Sequence, residues 1–235
     1  MAATRLPGKP LADIGGLPLI VHVLRRAEAA GVGPVAVAAG DAEIVEAVRA
    51  AGGRAVLTDP SLPSGSDRIL AALETLDPDR QHDLVINLQG DLPFFDPAVI
   101  QACADLLARE PSCDISTLIT PERSPAQRTD PDSVKAVVAL PPGAKAGRAL
   151  YFTRSTLYGD APVWWHIGIY GYRRAALERF CAAPPSPLEQ RERLEQLRAL
   201  EIGLSIWAAV IDAAPVDVNN PADLAAARAY VEQTR

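Results

Sequence analysis

The sequence has few cysteines, no excess of basic residues and no long hydrophobic run, and each lack excludes a class of protein. Its three scattered cysteines have no metal-binding spacing, which is typical of reduced thiols in a cytoplasmic protein. A net charge of −6 disfavours general nucleic-acid binding, which requires a basic face. No apolar run reaches the roughly 18 residues that span a bilayer, and no signal peptide opens the chain. We therefore expect a cytoplasmic protein with neither a nucleic-acid nor a membrane partner.

A Walker A loop is also missing, because no Gly-x-x-x-x-Gly-Lys-Ser/Thr stretch occurs. Near the amino end the sequence instead has Arg5-Leu6-Pro7-Gly8-Lys9, with two cations four residues apart around a Pro-Gly turn. Pro7 fixes one φ angle, and Gly8 permits a positive φ or a close backbone approach. Such a loop can hold Arg5 and Lys9 on the same anion. The alternative is a surface turn with two solvated cations.

The order of apolar runs predicts the fold class. Short buried strands alternate with amphipathic helices in the first half, which indicates an α/β protein with ligands at the carboxyl ends of the strands. We predict a single domain over residues 1–235. Its predicted sheet is doubly wound and mostly parallel, with a small mixed β extension at about 130–172. The predicted helices include Leu19–Ala30, Glu43–Ala51, Ile69–Leu76, Pro97–Arg109, Arg174–Ala182, Leu188–Ala199 and Ala222–Glu232.

An acid follows the clearest predicted strand. The apolar run Leu84–Leu88 is followed directly by Gln89, Gly90 and Asp91. A carboxylate at the carboxyl end of a strand in an open α/β sheet is well placed for a metal–phosphate site. The alternative for Asp91 is a loop aspartate that caps the helix beginning near Pro97.

Three other stretches offer polar groups, and each has a plain structural alternative. Ser64 and Gly65 lie in a loop of small hydroxyl residues at a helix start, which suits a nucleobase or ribose but also simple capping. Alternation places His166 and Tyr170 on one face with a glycine gap, where they line a polar pocket or form part of a satisfied core. Glu195 lies beside an apolar helical stripe, either as a ligand contact or as a solvated charge.

Taken together, these stretches resemble one family and occur in its order along nearly the whole chain. The matching stretches are Arg5–Leu11, Ser64–Arg68, Asn87–Asp91, Asp130–Lys135, Tyr151–Ser155, His166–Tyr172 and Ser186–Arg198. The chain is similar to the 3-deoxy-manno-octulosonate cytidylyltransferases, the CMP-Kdo synthetases of Gram-negative lipopolysaccharide synthesis. The motifs His-Ile-Gly-Ile-Tyr-Gly-Tyr and Leu-Glu-Gln-Leu-Arg are the most specific parts of the match.

The resemblance implies a Mg²⁺-dependent reaction in which CTP and Kdo give CMP-Kdo and diphosphate. The anomeric hydroxyl of the sugar acid attacks the α-phosphorus, and positioning and charge neutralisation carry the rate. By the same resemblance, Arg5 and Lys9 hold the CTP phosphates and Asp91 binds Mg²⁺, and these three are the expected catalytic residues. The family also implies a homodimer, and a single nucleotidyltransferase domain over residues 1–235 with a Rossmann-like sheet of the nucleotide-diphospho-sugar transferase type.

The remaining contacts are likewise implied by the resemblance alone. Ser64, Gly65 and Asp41 are expected to bind the nucleotide. The residues expected to face the sugar acid are Gln89, Arg154, His166, Tyr170, Glu195 and Gln196.

The chain departs from the family where ligands are expected. The family's second Mg²⁺-binding aspartate is Asn219 here, and a neutral amide oxygen binds Mg²⁺ more weakly. We hypothesise that Asp217, two residues earlier and on the same face of an extended chain, partly compensates. Leu62 replaces a family histidine, Leu92 replaces a glutamate, and the family's Thr-Asp-Asp loop is Ala39–Asp41.

The family also begins with a hydrophobic strand that ends in Ile-Pro-Ala-Arg, whereas only Met1–Thr4 precede Arg5. We expect in-frame codons for that strand upstream. These departures leave two alternatives open. One is a cytidylyltransferase for a related sugar acid, such as sialic acid or the 8-amino analogue of Kdo, and the other is a diverged, inactive nucleotide-binding homologue.

Overall fold

The computed structural model describes residues 6–122, 124–159 and 162–233. Its strands are β1 Asp13–Ile14, β2 Leu17–Pro18, β3 Val37–Ala39, β4 Ala55–Leu57, β5 Leu84–Asn87, β6 Ile115–Pro121, β7 Lys135–Ala139, β8 Ala146–Thr153, β9 Trp164–Arg173 and β10 Ile206–Val210. Its helices are α1 Leu19–Ala29, α2 Ala42–Ala50, α3 Gly65–Leu76, α4 Ala98–Arg109, α5 Pro125–Thr129, α6 Arg174–Ala182, α7 Pro187–Glu192, α8 Gln196–Glu201 and α9 Pro221–Gln233. A short 3₁₀ turn, Lys9–Leu11, precedes them.

The chain divides into two units. Unit 1 comprises the chain up to Arg80, then Leu88–Ala98, then the chain from Pro215; unit 2 comprises Gln81–Asn87 and Val99–Ala214. The single domain over residues 1–235 stays a prediction.

Unit 1 is built around the apolar face of α1. Leu19, Val23 and Leu24 recur at the helical period and are buried, where they join one core with Val48 of α2 and Phe94. Strands β3 and β4 pair in parallel on either side of α2, which is a β-α-β unit. The predicted α/β character is therefore present in unit 1.

Unit 2 is built on a six-stranded mixed sheet with the order β5-β9-β6-β10-β8-β7. Strand β7 also pairs with β9, so β9, β6, β10, β8 and β7 close a five-stranded ring. Of the pairings in this sheet, β6 with β10 is parallel, and the others are antiparallel. The sheet does not confirm the predicted mostly parallel, doubly wound arrangement, because alternation of apolar residues does not specify which strand is the partner.

Two helices differ from the sequence prediction. The predicted helix Leu188–Ala199 is two helices, α7 and α8, because Arg193 adopts the left-handed conformation (φ 56°, ψ 45°) and ends α7. Helix α3 begins at Gly65 rather than at Ile69, because the Ser64 side chain accepts a hydrogen bond from the Asp67 N–H and caps the helix.

All three cysteines lie in the described part of the chain, and none forms a disulfide. Burial raises the pKa of Cys103 and of Cys113 to about 12. Within residues 6–122, 124–159 and 162–233, no helix combines the length and apolar character needed to cross a membrane.

A methyl group at Gly147 should destabilise unit 2. The added Cβ would clash with the Ala139 carbonyl oxygen and lie 3.1 Å from the Leu140 Cα, and these backbone atoms cannot move without breaking the β7–β8 pairing. We expect Gly147→Ala to lower the free energy of unfolding by about 1–3 kcal/mol, as measured by urea denaturation. Gly168→Ala, also in a strand of unit 2 but with no atom within 4 Å of the added Cβ, is the control. Equal stability of the two variants would contradict the assignment.

Candidate functional site

In unit 1, three distant segments of the chain meet at the Lys9 ammonium. Its Nζ donates to Asp91 Oδ2 at 2.9 Å and lies 3.5 Å from Asn219 Oδ1. The Lys9 side chain is 15% exposed and that of Asp91 is 29% exposed, so the ion pair is partly shielded from water. A cation thus lies between two oxygen donors that sequence reasoning assigned to a metal.

The backbone explains why these residues converge. Gly8 has φ 68°, which is one of the two possibilities that its sequence position allows, and it begins the 3₁₀ turn that carries Lys9. On the other side, the Val218 N–H donates to the Asp91 carbonyl at 2.9 Å, which places Asn219 next to Asp91. An isolated antiparallel bridge between Phe94 and Val216 extends this pairing.

The Asn219 side chain is oriented by its neighbours. Its Nδ2 donates to Asp217 Oδ2, so its Oδ1 is the end that faces Lys9. Its backbone N–H donates to Asp223 Oδ2 at 2.8 Å. The Asp217 carboxylate therefore contacts the amide nitrogen of Asn219 and leaves the amide oxygen facing the Lys9 ammonium.

The other residues predicted for the nucleotide have separate settings within unit 1. Asp41 is exposed at the N-cap position of α2 and makes no side-chain capping bond. The Ser64 hydroxyl donates to Asp67 Oδ2 at 2.6 Å while it caps α3, and open space surrounds Gly65. Gln89 is exposed beside Asp91 in the chain. Arg5 lies outside the described residues.

The remaining residues predicted for the sugar acid belong to unit 2, and His166 and Tyr170 lie side by side there. Their ring centroids are 5.4 Å apart, and an irregularity in the β6–β9 pairing occurs between them. A Cβ at Gly168 would meet no atom within 4 Å, so the predicted gap in the strand is open space.

His166 is held as a neutral acceptor. Burial lowers the pKa of His166 to about 3. The ring Nε2 is 2.9 Å from Thr117 Oγ1, which also lies 2.9 Å from the Ile169 carbonyl. A hydroxyl has one proton, so when Thr117 gives it to the carbonyl it accepts the Nε2 proton of His166. Nδ1 then keeps its lone pair for another donor.

Glu195 and Gln196 bring polar atoms that the protein itself leaves unmatched. Within the described part of the chain, Glu195 Oε1 and Gln196 Nε2 are buried and have no hydrogen-bond partner. Burial, together with the Tyr172 phenol and the Glu195 carboxylate, raises the pKa of Tyr170 well above its usual value, so Glu195 is near the His166–Tyr170 pair. Leaving such atoms unpaired costs about 1–3 kcal/mol each, which indicates a place for a polar ligand.

Arg154 is fixed by its backbone. The buried Lys135 ammonium donates to the carbonyl of Arg154 at 2.9 Å, and also to those of Asp130 and Ser133. The Arg154 guanidinium donates to the Pro131 carbonyl at 2.9 Å. This contact with a neutral group leaves the guanidinium charge suited to an anion.

Sequence reasoning missed three residues that build the unit 2 site. Thr117 interrupts an apolar strand, and a polar residue in a buried run is a signal that could have found it. Lys135 occurs in a family-like stretch, but lysines are rarely buried, so its residue type predicts no role there. The predicted helix Leu188–Ala199 runs through Glu192, whose contacts depend on the break at Arg193.

The pKa of His166 differs between the folded and the unfolded protein, so His166 makes the stability of the protein depend on pH. In the folded protein the ring is neutral, and in the unfolded chain its pKa is near 6.5. Its folded pKa is below the unfolded value, so the unfolded state binds the proton first and stability is lost as pH falls below about 6.5. Between pH 6.5 and 5 we expect this group to remove roughly 2 kcal/mol of the free energy of unfolding. Urea titrations of His166→Gln should show a correspondingly flatter pH dependence. An unchanged slope would contradict a neutral His166.

Comparison with known proteins identifies similar proteins along nearly the whole chain. The family described as "Cytidylyltransferase" matches residues 1–206. The 3-deoxy-manno-octulosonate cytidylyltransferase of Rhodospirillum centenum is 57% identical over 233 residues, which cover 99% of this chain and 90% of the relative. The protein of the same name from Parvibaculum lavamentivorans is 58% identical over 230 residues, covering 97% and 88%.

Solved structures give the same result. A structure of CMP:2-keto-3-deoxy-manno-octonic acid synthetase complexed with CTP superposes with a TM-score of 0.88 at 37% identity, covering 99% of this chain and 95% of that one. A Methanothermobacter nucleotidyl transferase, with a TM-score of 0.61 at 16% identity, shares the fold alone. The mixed α/β fold is thus that of a nucleotidyltransferase, and the resemblance predicted from the sequence motifs is confirmed: the chain belongs to the 3-deoxy-manno-octulosonate cytidylyltransferase family.

Proposed function

We propose that the protein transfers the cytidylyl group of CTP to Kdo, giving CMP-Kdo and diphosphate with Mg²⁺. The observation that carries the proposal is the 2.9 Å contact between Lys9 and Asp91. These two residues are far apart in the sequence, and both were predicted for the nucleotide site. The choice of substrates rests on family membership. The geometry adds that a cation and an acid lie in contact at one place. In this proposal, Arg5 and Lys9 bind the triphosphate, and Ser64, Gly65 and Asp41 bind the cytidine.

The oxygen atoms around Lys9 fit a hard divalent cation. Asp91 Oδ2 and Asn219 Oδ1 both lie within 3.5 Å of the ammonium, so a positive charge already occupies the position between them. In the described residues, no group of three or more His, Cys, Asp or Glu side chains could hold a metal ion. Mg²⁺ suits such a sparse site, because it keeps waters and takes phosphate oxygens as ligands. Asp91 and Asn219 would hold it, with Asp217 orienting the amide and adding negative charge nearby.

The chain's own residues would then work by positioning and charge. Lys9 would neutralise charge that develops on the departing diphosphate, since in-line phosphoryl transfer needs little covalent help from the protein. The metal would supply further charge neutralisation at the phosphates. His166 Nδ1 would accept a hydrogen bond from a sugar hydroxyl, while Glu195 and Gln196 would pair their unmatched atoms with others. Arg154 would bind the carboxylate of the sugar acid, and Gln89 would complete the sugar contacts.

The finer architectural and cellular assignments also belong to this proposal. The parallel β3–α2–β4 unit supports a Rossmann-like, doubly wound arrangement around the nucleotide. The family supports a cytoplasmic homodimer that supplies lipopolysaccharide synthesis.

Incubation with CTP, Mg²⁺ and a sugar acid tests the activity directly through release of diphosphate. We expect release with Kdo, and an Asp91→Ala variant should reduce kcat at least a hundredfold because it loses the anionic metal ligand. Asp96→Ala, which removes an exposed acid that caps Ala98, is the matched control and should retain activity. Release of diphosphate only with sialic acid or 8-amino-Kdo would show that the proposed substrate is wrong. Release with none of these acids would support the alternative of an inactive homologue.

Removing the charge of Lys9 should strengthen metal binding and weaken nucleotide binding. Its ammonium lies on the two oxygens that would hold the metal, so Lys9→Met should bind Mn²⁺ alone several-fold more tightly than the wild type, as measured by electron paramagnetic resonance. The KM for CTP should rise at least tenfold, because the triphosphate loses a charge-assisted contact.

Lys145→Met is the control for this prediction, since it makes the same change at an exposed lysine and should alter neither quantity. A Lys9→Met variant whose Mn²⁺ affinity equals or falls below that of the wild type would show that the two cations do not share a site.

A further inference from the structure

The corner between α7 and α8 carries Glu195 and Gln196, which are among the residues in the described part of the chain that have buried polar atoms without a partner. Helix α7 ends at Glu192, Arg193 reverses the backbone in the left-handed region, and α8 begins at Gln196 with Glu195 at its N-cap position. A non-glycine residue in that region costs roughly 1–2 kcal/mol, so other contacts must hold the corner in this conformation.

Glu192 makes three hydrogen bonds that hold the end of α7 to the end of β8, where Arg191 Nη2 also donates to the Tyr151 hydroxyl at 2.5 Å. Its Oε2 accepts from Thr153 Oγ1 at 3.0 Å and from the Arg154 N–H at 3.4 Å, while Oε1 accepts from the Tyr151 hydroxyl at 3.2 Å. The Glu192 side chain is 13% exposed. Burial raises the pKa of Glu192, but hydrogen bonds from Thr153, the Arg154 N–H and Tyr151 outweigh it, so the pKa lies below its usual value and the group is charged at neutral pH.

These contacts join the ends of β8 and α7, and proposed sugar-acid residues follow each of these elements in the chain. The Arg154 N–H donates to Glu192, and the Arg154 carbonyl accepts from Lys135, so the Arg154 backbone is held on both sides. Glu192 is also separated from Glu195 by only two residues across the αL turn. Any shift of Glu192 relative to β8 would therefore change the separation between Arg154 and the Glu195–Gln196 pair.

Deeper contacts hold the corner folded independently of Glu192. Arg198 Nη2 is 2.6 Å from Glu189 Oε1, and its guanidinium lies 4.7 Å from the centre of the Phe180 ring. Ser186 and Glu189 form a reciprocal capping box at the start of α7. Loss of Glu192 should consequently move the corner without unfolding it.

We propose that Glu192 is a positioning residue for the sugar-acid site, which sets the separation between the Arg154 guanidinium and the Glu195–Gln196 pair by fastening α7 to the end of β8. This inference rests on the proposed function, since it concerns the sugar-acid substrate of that reaction. Glu192 acts through its neighbours, and its loss should affect one substrate and spare the other.

The test compares Glu192→Gln with Glu201→Gln in the diphosphate-release assay. Tyr151 and the Thr153–Arg154 side donate to different oxygens of Glu192, and a glutamine puts an NH₂ donor in place of one of them, so one side loses its acceptor. We expect the KM for Kdo to rise about tenfold, with the KM for CTP within twofold of the wild type and Tm within a few degrees. Glu201→Gln changes another acid that binds α7, since Glu201 Oε2 accepts from the Leu188 N–H at 3.0 Å, and it should leave both KM values unchanged.

Thr153→Val adds an independent variant, because it removes one donor to Glu192 and keeps the carboxylate. It should raise the KM for Kdo in the same direction by a smaller factor. The inference is overturned if Glu192→Gln raises both KM values together, or if it matches Glu201→Gln. A wild-type enzyme that releases no diphosphate with any sugar acid is a different result, which overturns the proposed function and this inference with it.

Discussion

The structure of unit 1 depends on the partly buried ion pair between Lys9 and Asp91. Each charge is held where the other offsets its loss of water, and removing one would leave a shielded charge uncompensated. The pair also ties the amino-terminal turn to the segment that follows β5, while the hydrogen bond from Val218 to the Asp91 carbonyl adds the third segment. A site assembled from three distant parts of a chain is thereby fixed at one point. That point is also where an anion with a bound cation could be held.

In unit 2, by contrast, the candidate site contains polar groups that are not paired with each other. Some of its buried polar atoms have no hydrogen-bond partner in the described part of the chain. Thr117 hydrogen-bonds one nitrogen of His166, whereas Glu195 and Gln196 each have a buried polar atom without a partner. A neutral histidine, an open space at Gly168 and two unmatched polar side chains suit a ligand rich in hydroxyl groups. The surrounding ion pairs and capping box supply the rigidity that such a site needs.

Local chemistry predicted the features that depend on a few neighbouring residues. The backbone freedom of Gly8, the apolar face of α1 and the acid that follows β5 were all visible in the sequence, because each reflects residue type, periodicity or strand polarity. Features set by distant contacts were not. The break at Arg193 has no glycine or proline to mark it, and it is held by contacts with β8 and by the Arg198–Glu189 ion pair. The mixed sheet depends on strand partners that alternation does not specify, and Lys135 is buried only because three carbonyls surround its ammonium.

The central claim is that Lys9, Asp91 and Asn219 form one site for a metal-bound nucleotide. A crystal structure with CTP and Mn²⁺ tests it most directly, because the anomalous signal of manganese locates the ion. The account predicts the ion within about 2.2 Å of an Asp91 carboxylate oxygen, with the Lys9 ammonium moved onto the phosphates. An ion bound elsewhere, with the Lys9–Asp91 contact intact beside an occupied nucleotide site, would contradict it.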